Sequence, residues 1–194
     1  VKLKLNFIKL SKTEITSFVL TLIATLIGVL LAISLSNSEA AKKEKEDTVK
    51  LLNSANIIVK GTSNYTRELD SYITNLKDTV HVDSTAIRRI EKQNPIPYPD
   101  LLESIIANDI VSKNLSQYTH TEIYIYLLNL RKLAAYKSIN YYQKSLEELE
   151  LLLELESKFQ EDEINLNQLK KEFAKGRNEL AKKYRDKNVT ELNN

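Results

Sequence analysis

The chain has 194 residues, with 28 Lys and Arg against 26 Asp and Glu, and its formal charge of +2 is too small to argue for nucleic acid. It contains no Cys, Met or Trp and only three Gly and three Pro, which excludes disulfides, thiolate metal sites and cysteine nucleophiles and disfavours turn-rich sheet architectures. Abundant Leu, Lys, Glu, Asn and Ile with few breakers describe an all-α chain of long helices, and the residues after Ser36 make one domain of ordinary size.

Residues 1–14, VKLKLNFIKLSKTE, interleave Lys2, Lys4, Lys9 and Lys12 with Leu3, Leu5, Phe7, Ile8 and Leu10. That mixture suits a basic amphipathic lead lying among lipid headgroups, with a disordered basic tail as the plainer reading. From Ile15 to Leu35 no charged residue occurs, and the polar residues are all Ser or Thr, whose hydroxyls can bond back to their own helix. As a helix the run would be roughly 31 Å long against a hydrocarbon core of about 30 Å, so residues 15–36 read as one transmembrane helix. A cleaved secretory signal has an apolar core of only about 7 to 15 residues. Lysines are level on the two sides, but Lys9 and Lys12 lie close to the core, while Lys42, Lys43, Lys45 and Lys50 are mixed with acids. The balance favours a cytoplasmic N-terminus and an extracytoplasmic domain.

Residues 37–93 read as a stalk and first helical arm. Leu51 or Leu52, Ala55 and Ile58 or Val59 keep a helical stripe, which Tyr65, Leu69, Tyr72 or Ile73, Leu76 and Val80 repeat beyond Gly61, where the rod either kinks or continues. His81 to Ser84 looks like a turn, with Asp83 or Ser84 capping a short helix through Ile87 and Ile90. The connector, 94–120, opens with Asn94-Pro-Ile-Pro-Tyr-Pro99, which cannot be helix interior. Asp100 is then a candidate N-cap for a short helix carrying Leu101, Leu102, Ile105 and Ile106, and Thr119 or Thr121 a cap for the next.

Residues 121–187 contain no Pro and only Gly176, so one long return helix is expected, about 100 Å if continuous, with residues 188–194 as a tail. Leu152, Phe159, Leu166, Phe173 and Leu180 recur every seven residues, with Leu155 and Leu169 at the complementary position. They make a heptad seam for a partner, interrupted at Asp162 and Gly176. An antiparallel return would bring the C-terminus back toward the membrane. Charge is segregated along this stretch: Glu147 to Glu163 are mostly acidic, whereas Lys170, Lys171, Lys175, Arg177, Lys182, Lys183 and Arg185 form a basic half suited to lipid headgroups or an acidic partner. A solvated helix face is the bland alternative. The fold expected is therefore one N-terminal transmembrane helix continuing into a long helical hairpin or small bundle with coiled-coil character.

Sites of chemistry are harder to find. Gly28, Gly61 and Gly176 cannot build a glycine-rich phosphate loop. His81 and His120 fall in expected turns without helical Glu-x-x-His or His-x-x-x-His spacing. Tyr124, Tyr126, Tyr136, Tyr141 and Tyr142 could stack on a ligand, though aromatics at helical spacing more often pack a bundle. No catalytic, cofactor-binding or metal-binding residue is assigned, and no cofactor and no enzymatic activity are expected.

The stretches Ile27-Gly-Val-Leu-Leu-Ala-Ile33, Asn37 with its Lys/Glu-rich sequel, Tyr98-x-x-Leu101-Leu102-x-Ser104, Leu128 to Arg131 and Tyr141-Tyr142 give the chain a likeness. It resembles uncharacterised Bacteroidota-type proteins that carry one N-terminal anchor and a helical domain of unknown function. Such proteins usually place Trp after the anchor, and Ser36-Asn37-Ser38-Glu39 has none. The resemblance implies membrane anchorage and no activity. Together these readings describe a single-pass accessory or scaffold subunit of a membrane complex. Its partners would be membrane lipid and other membrane subunits or a second copy of itself, with no nucleic acid. The alternative is an extracytoplasmic sensor or ligand-binding module acting through a partner.

Overall fold

The computed structural model describes residues 12–79, 84–135 and 139–192, with side chains over 20–76, 85–135 and 139–185. Among them lie seven helices and no strand: α1 Lys12–Thr79, α2 Ser84–Gln93, α3 Asp100–Ile106, α4 Asp109–Asn114, α5 Gln117–Ala135, α6 Ile139–Gln160 and α7 Leu166–Leu192. The protein is all-α. Residues 1–11 of the lead, His81, Asp83, Tyr136 and the end of the tail lie outside the described residues.

The chain divides into two compact units, residues 1–43 and 44–194. In the first, the large hydrophobic side chains from Leu20 to Leu35 are between 48% and 65% exposed. This part of α1 holds an eighteen-residue window of mean hydropathy 2.1, none of it buried. The Thr25 hydroxyl donates to the Thr21 carbonyl at 2.8 Å, the back-bond that lets a hydroxyl sit in an apolar helix.

In the second unit α6 is the central helix. Leu146, Leu149, Leu152, Leu153 and Leu155 are buried around it because α1, α5 and α7 each cover one of its sides. Polar contacts give the directions. Lys45 is 2.9 Å from Asp162 just beyond the end of α6, and Arg67 is 3.9 Å from Glu147 nearer its start. Ser116 and Thr119, at the start of α5, meet Glu156 near the end of α6, and Lys183 on α7 meets Glu147. All three neighbours therefore run antiparallel to α6 and parallel to one another. Of the two phasings the stripe allows, α1 buries Leu52, Ala55 and Val59 and leaves Leu51 and Ile58 half-buried, while Tyr65 is exposed. Helix α1 continues through Gly61, where a side chain would meet nothing within 4 Å and the cost of glycine is only about 1 kcal/mol.

The single return helix expected over 121–187 is not formed. Its place is taken by α5, α6 and α7, and the chain reverses between Gln160 and Leu166. Asp162 adopts a left-handed backbone with φ 59°. The Glu163 amide donates to the Lys158 carbonyl at 2.9 Å and the Asp162 amide to that of Phe159 at 3.1 Å, which closes α6 as a Schellman motif. Asn165 then starts α7. Its side chain accepts from the amides of Asn167 and Gln168, both at 3.0 Å, while the Gln168 side chain accepts from the Asn165 amide at 2.9 Å, a reciprocal capping box. The later part of α7 consequently lies beside Arg67, and the α6–α7 turn lies beside Lys45, the reverse of what one return helix would give.

Two smaller expectations change. Helix α5 begins at Gln117, so His120 and Thr121 lie within it and Thr119 is buried against Glu156 rather than capping. In α3, Pro99 occupies the cap position without a side-chain bond, and Asp100 sits in the first turn.

Candidate functional site

The heptad seam does not survive as one surface. Leu152 and Phe173 are completely buried in the bundle's own core, while Phe159, Leu166 and Leu180 are half-buried. Phe173 receives the rings of Tyr118 and Tyr126 edge-on, each with centroids 6.3 Å away. The reason is the reversal at Asp162, which places Leu152 and Phe159 on one helix and Leu166, Phe173 and Leu180 on its antiparallel neighbour. Helices α6 and α7 approach so closely that a Cβ at Gly176 would collide with Leu151.

The basic residues of α7, Lys170, Lys171, Lys175, Arg177, Lys182, Lys183 and Arg185, are all exposed. Several serve the fold. Lys183 is 2.7 Å from Glu147, which also accepts from the Tyr184 hydroxyl at 3.0 Å. Lys170 lies over the Tyr118 ring and Arg177 over that of Phe173. The tyrosines are likewise divided. Tyr126 and Tyr142 are buried, whereas Tyr124 and Tyr141 are exposed, so they do not form a single stacking platform. Burial pushes the hydroxyls of Tyr126, Tyr142 and Tyr184 well above the usual tyrosine range, with Glu148 adding to the effect at Tyr126 and Glu147 at Tyr184.

Two features are places where another molecule could sit. The first is the outer face of α5, where Tyr124, Ile125 and Leu128 are 37%, 46% and 57% exposed. Residues three and four apart share a helix face, so these three form one apolar patch, ending at Arg131 and Lys132. Arg131 is fixed there, 3.0 Å from Glu103 and 4.8 Å above the Tyr98 ring. On the opposite side of α5, Ile123, Tyr126, Leu127 and Leu130 are buried, because α6 covers that side.

The second is a cleft of about 810 Å³ between the distal part of α1, α2, the proline connector and the facing ends of α5 and α6. Its floor is apolar, built by Leu69, Ile73, Ile96, Ala134 and Ile139, and its rim carries Asp70, Arg88, Glu91 and Lys92. The three prolines hold the connector extended, which is what keeps Ile96 at the cleft instead of within a helix. The volume lies inside the range of about 300–1,000 Å³ typical of small-ligand sites. No group of three or more Asp, Glu or His side chains is placed to hold a metal ion among the described residues.

No family model, no curated protein and no solved structure matches the chain.

Proposed function

We propose that the chain is a single-pass membrane protein acting as an accessory or scaffold subunit, with helix-mediated contacts to other subunits of a membrane complex. The observation that carries the reading is the first part of α1. An eighteen-residue window of mean hydropathy 2.1 with none of it buried is costly in water and favourable in hydrocarbon. Its backbone bonds are internal to the helix, as a lipid environment requires. Lys9 and Lys12, close to the apolar core, favour a cytoplasmic N-terminus and an extracytoplasmic bundle, and the likeness to Bacteroidota-type anchored proteins favours a bacterial inner membrane.

The bundle's contribution is the face of α5 formed by Tyr124, Ile125 and Leu128, in which Leu128 stands i+4 from Tyr124 and i+3 from Ile125, spacings that helix-in-groove recognition uses. The exposed lysines of α7, Lys171 and Lys182 among them, offer a second contact to anionic headgroups or an acidic partner. The test is extraction from the native membrane in mild detergent, native-size separation and mass spectrometry of what co-migrates. A fixed set of membrane subunits is expected, released by Ile125→Asp with Leu128→Asp while helix content and melting are unchanged. A solitary chain, or a complex indifferent to that pair of substitutions, would overturn the proposal. Phe173→Asp is unsuitable for this purpose because Phe173 is core.

A further inference from the structure

The cleft between α1, α2 and the proline connector is not needed by the anchored-subunit reading, and its chemistry points elsewhere. Leu69 and Ile73 are almost fully buried, one turn apart on α1, and with Ile96 and Ile139 they make a continuous apolar floor. Above it stand Arg88 and Lys92, four residues apart and therefore on one face of α2. Both are exposed, and neither has an acidic partner among the described residues. The two acids at the rim, Asp70 and Glu91, are each already engaged in an interaction. What remains is a pocket with an oily base and two uncommitted cations at its mouth.

We infer that this cleft binds a small amphipathic anion, its apolar body lying on Leu69, Ile73, Ile96 and Ile139 and its carboxylate or phosphate head held by Arg88 and Lys92. A neutral amphiphile would gain the same apolar burial but give Arg88 and Lys92 no partner, and an amphipathic cation would find at the rim only Asp70 and Glu91, both already engaged. The planar guanidinium of Arg88 offers two parallel donors to a carboxylate or phosphate, and the ammonium of Lys92 adds a point charge beside it. Because the rim is open to solvent, the head keeps part of its hydration. The charge contacts then confer selectivity, while the apolar floor supplies most of the binding energy.

The full chain in nanodiscs of zwitterionic phosphatidylcholine is titrated calorimetrically with octanoate, octyl phosphate and octanol, and the heat of partition into empty discs is subtracted. Both anions bind one per chain, and octanol binds at least about tenfold more weakly, the ratio that a charge-assisted contact confers. The affinity order of the two anions identifies the head group as carboxylate or phosphate. In the variant Arg88→Gln with Lys92→Gln, whose positions are exposed and outside the core, both anions lose at least about tenfold in affinity and octanol binds as before. Equal affinities for octanol and octanoate, anion binding unchanged in the variant, or no binding of any of the three would each overturn the inference. None of these outcomes depends on whether the α5 face holds a partner.

Discussion

Glu156 is a completely buried carboxylate, and removing it tests the account of how α5 is tied to α6. It accepts from the Ser116 amide at 2.9 Å, the Ser116 hydroxyl at 2.9 Å, the Thr119 hydroxyl at 2.6 Å and the Gln160 side-chain amide at 2.9 Å. Hydrogen bonds to a charged group contribute about 1.5–3 kcal/mol each, so four amount to roughly 6–12 kcal/mol. Burying the charge costs several kcal/mol in return, and Glu156→Leu abolishes both terms. After the substitution the Gln160 amide keeps its bond to the Asn114 carbonyl at 2.6 Å, and the two hydroxyls can rotate, but the Ser116 amide has nowhere to turn. The expected net loss is about 3 kcal/mol. Glu156→Gln retains one carbonyl oxygen for the Ser116 amide, and its new NH₂ faces the Ser116 and Thr119 hydroxyls, which can accept, so about 1 kcal/mol is expected. The assay is urea denaturation of the full chain in neutral detergent, followed by helix circular dichroism at constant m-value. A Leu variant within about 0.5 kcal/mol of the parent, or a Gln variant as unstable as the Leu variant, would refute the reasoning.

Other outcomes follow from the same contacts. Phe173→Ala removes a fully buried ring flanked edge-on by two tyrosines and is expected to cost about 3–5 kcal/mol by urea melting, whereas Leu180→Ala, at a half-buried position, costs no more than about 1.5 kcal/mol. Equal losses at the two positions would argue for a continuous seam after all. Asp162→Gly relieves a left-handed backbone worth about 1 kcal/mol and forfeits an exposed ion pair with Lys45 worth less, so a net gain of about 0.5 kcal/mol is expected in the same melt. Tyr126, Tyr142 and Tyr184 have their pKa raised by burial above the unfolded value of about 10. A raised folded pKa gives stability that is complete below the unfolded value and lost as pH climbs past it. The urea midpoint therefore falls above pH ~10, and a late-titrating tyrosine population ionises at 295 nm only as the fold opens. A single ionisation step with a constant midpoint would contradict this.

Much of the helical organisation was legible because it depends on local chemistry. The uncharged run from Ile15 and the stripe from Leu51 to Val59 each ask for continuous helix and the three prolines forbid it, and α1 and the connector follow. The reversal at Asp162 was missed because seven-residue spacing persists across it. Leu152 and Phe159 end one helix in phase with Leu166 and Phe173 on the next, so periodicity alone cannot distinguish a rod from a hairpin. The signal was present in Asn165-x-x-Gln168, a capping box placed directly after an acidic break. The cleft was beyond reach for a different reason. Leu69, Arg88, Ile96 and Ile139 are remote in sequence and meet only through tertiary packing.

The central position of α6 also sets a timetable for the chain's synthesis. Helices α5, α6 and α7 are consecutive and form near-neighbour hairpins, but the partner of α1 is made much later: Lys45 and Asp162 stand 117 residues apart. At about 5–20 residues per second the ribosome takes roughly 6 to 23 s to span that interval. Throughout it Leu52, Ala55 and Val59 have no α6 to cover them. The first arm is therefore made early and sealed late.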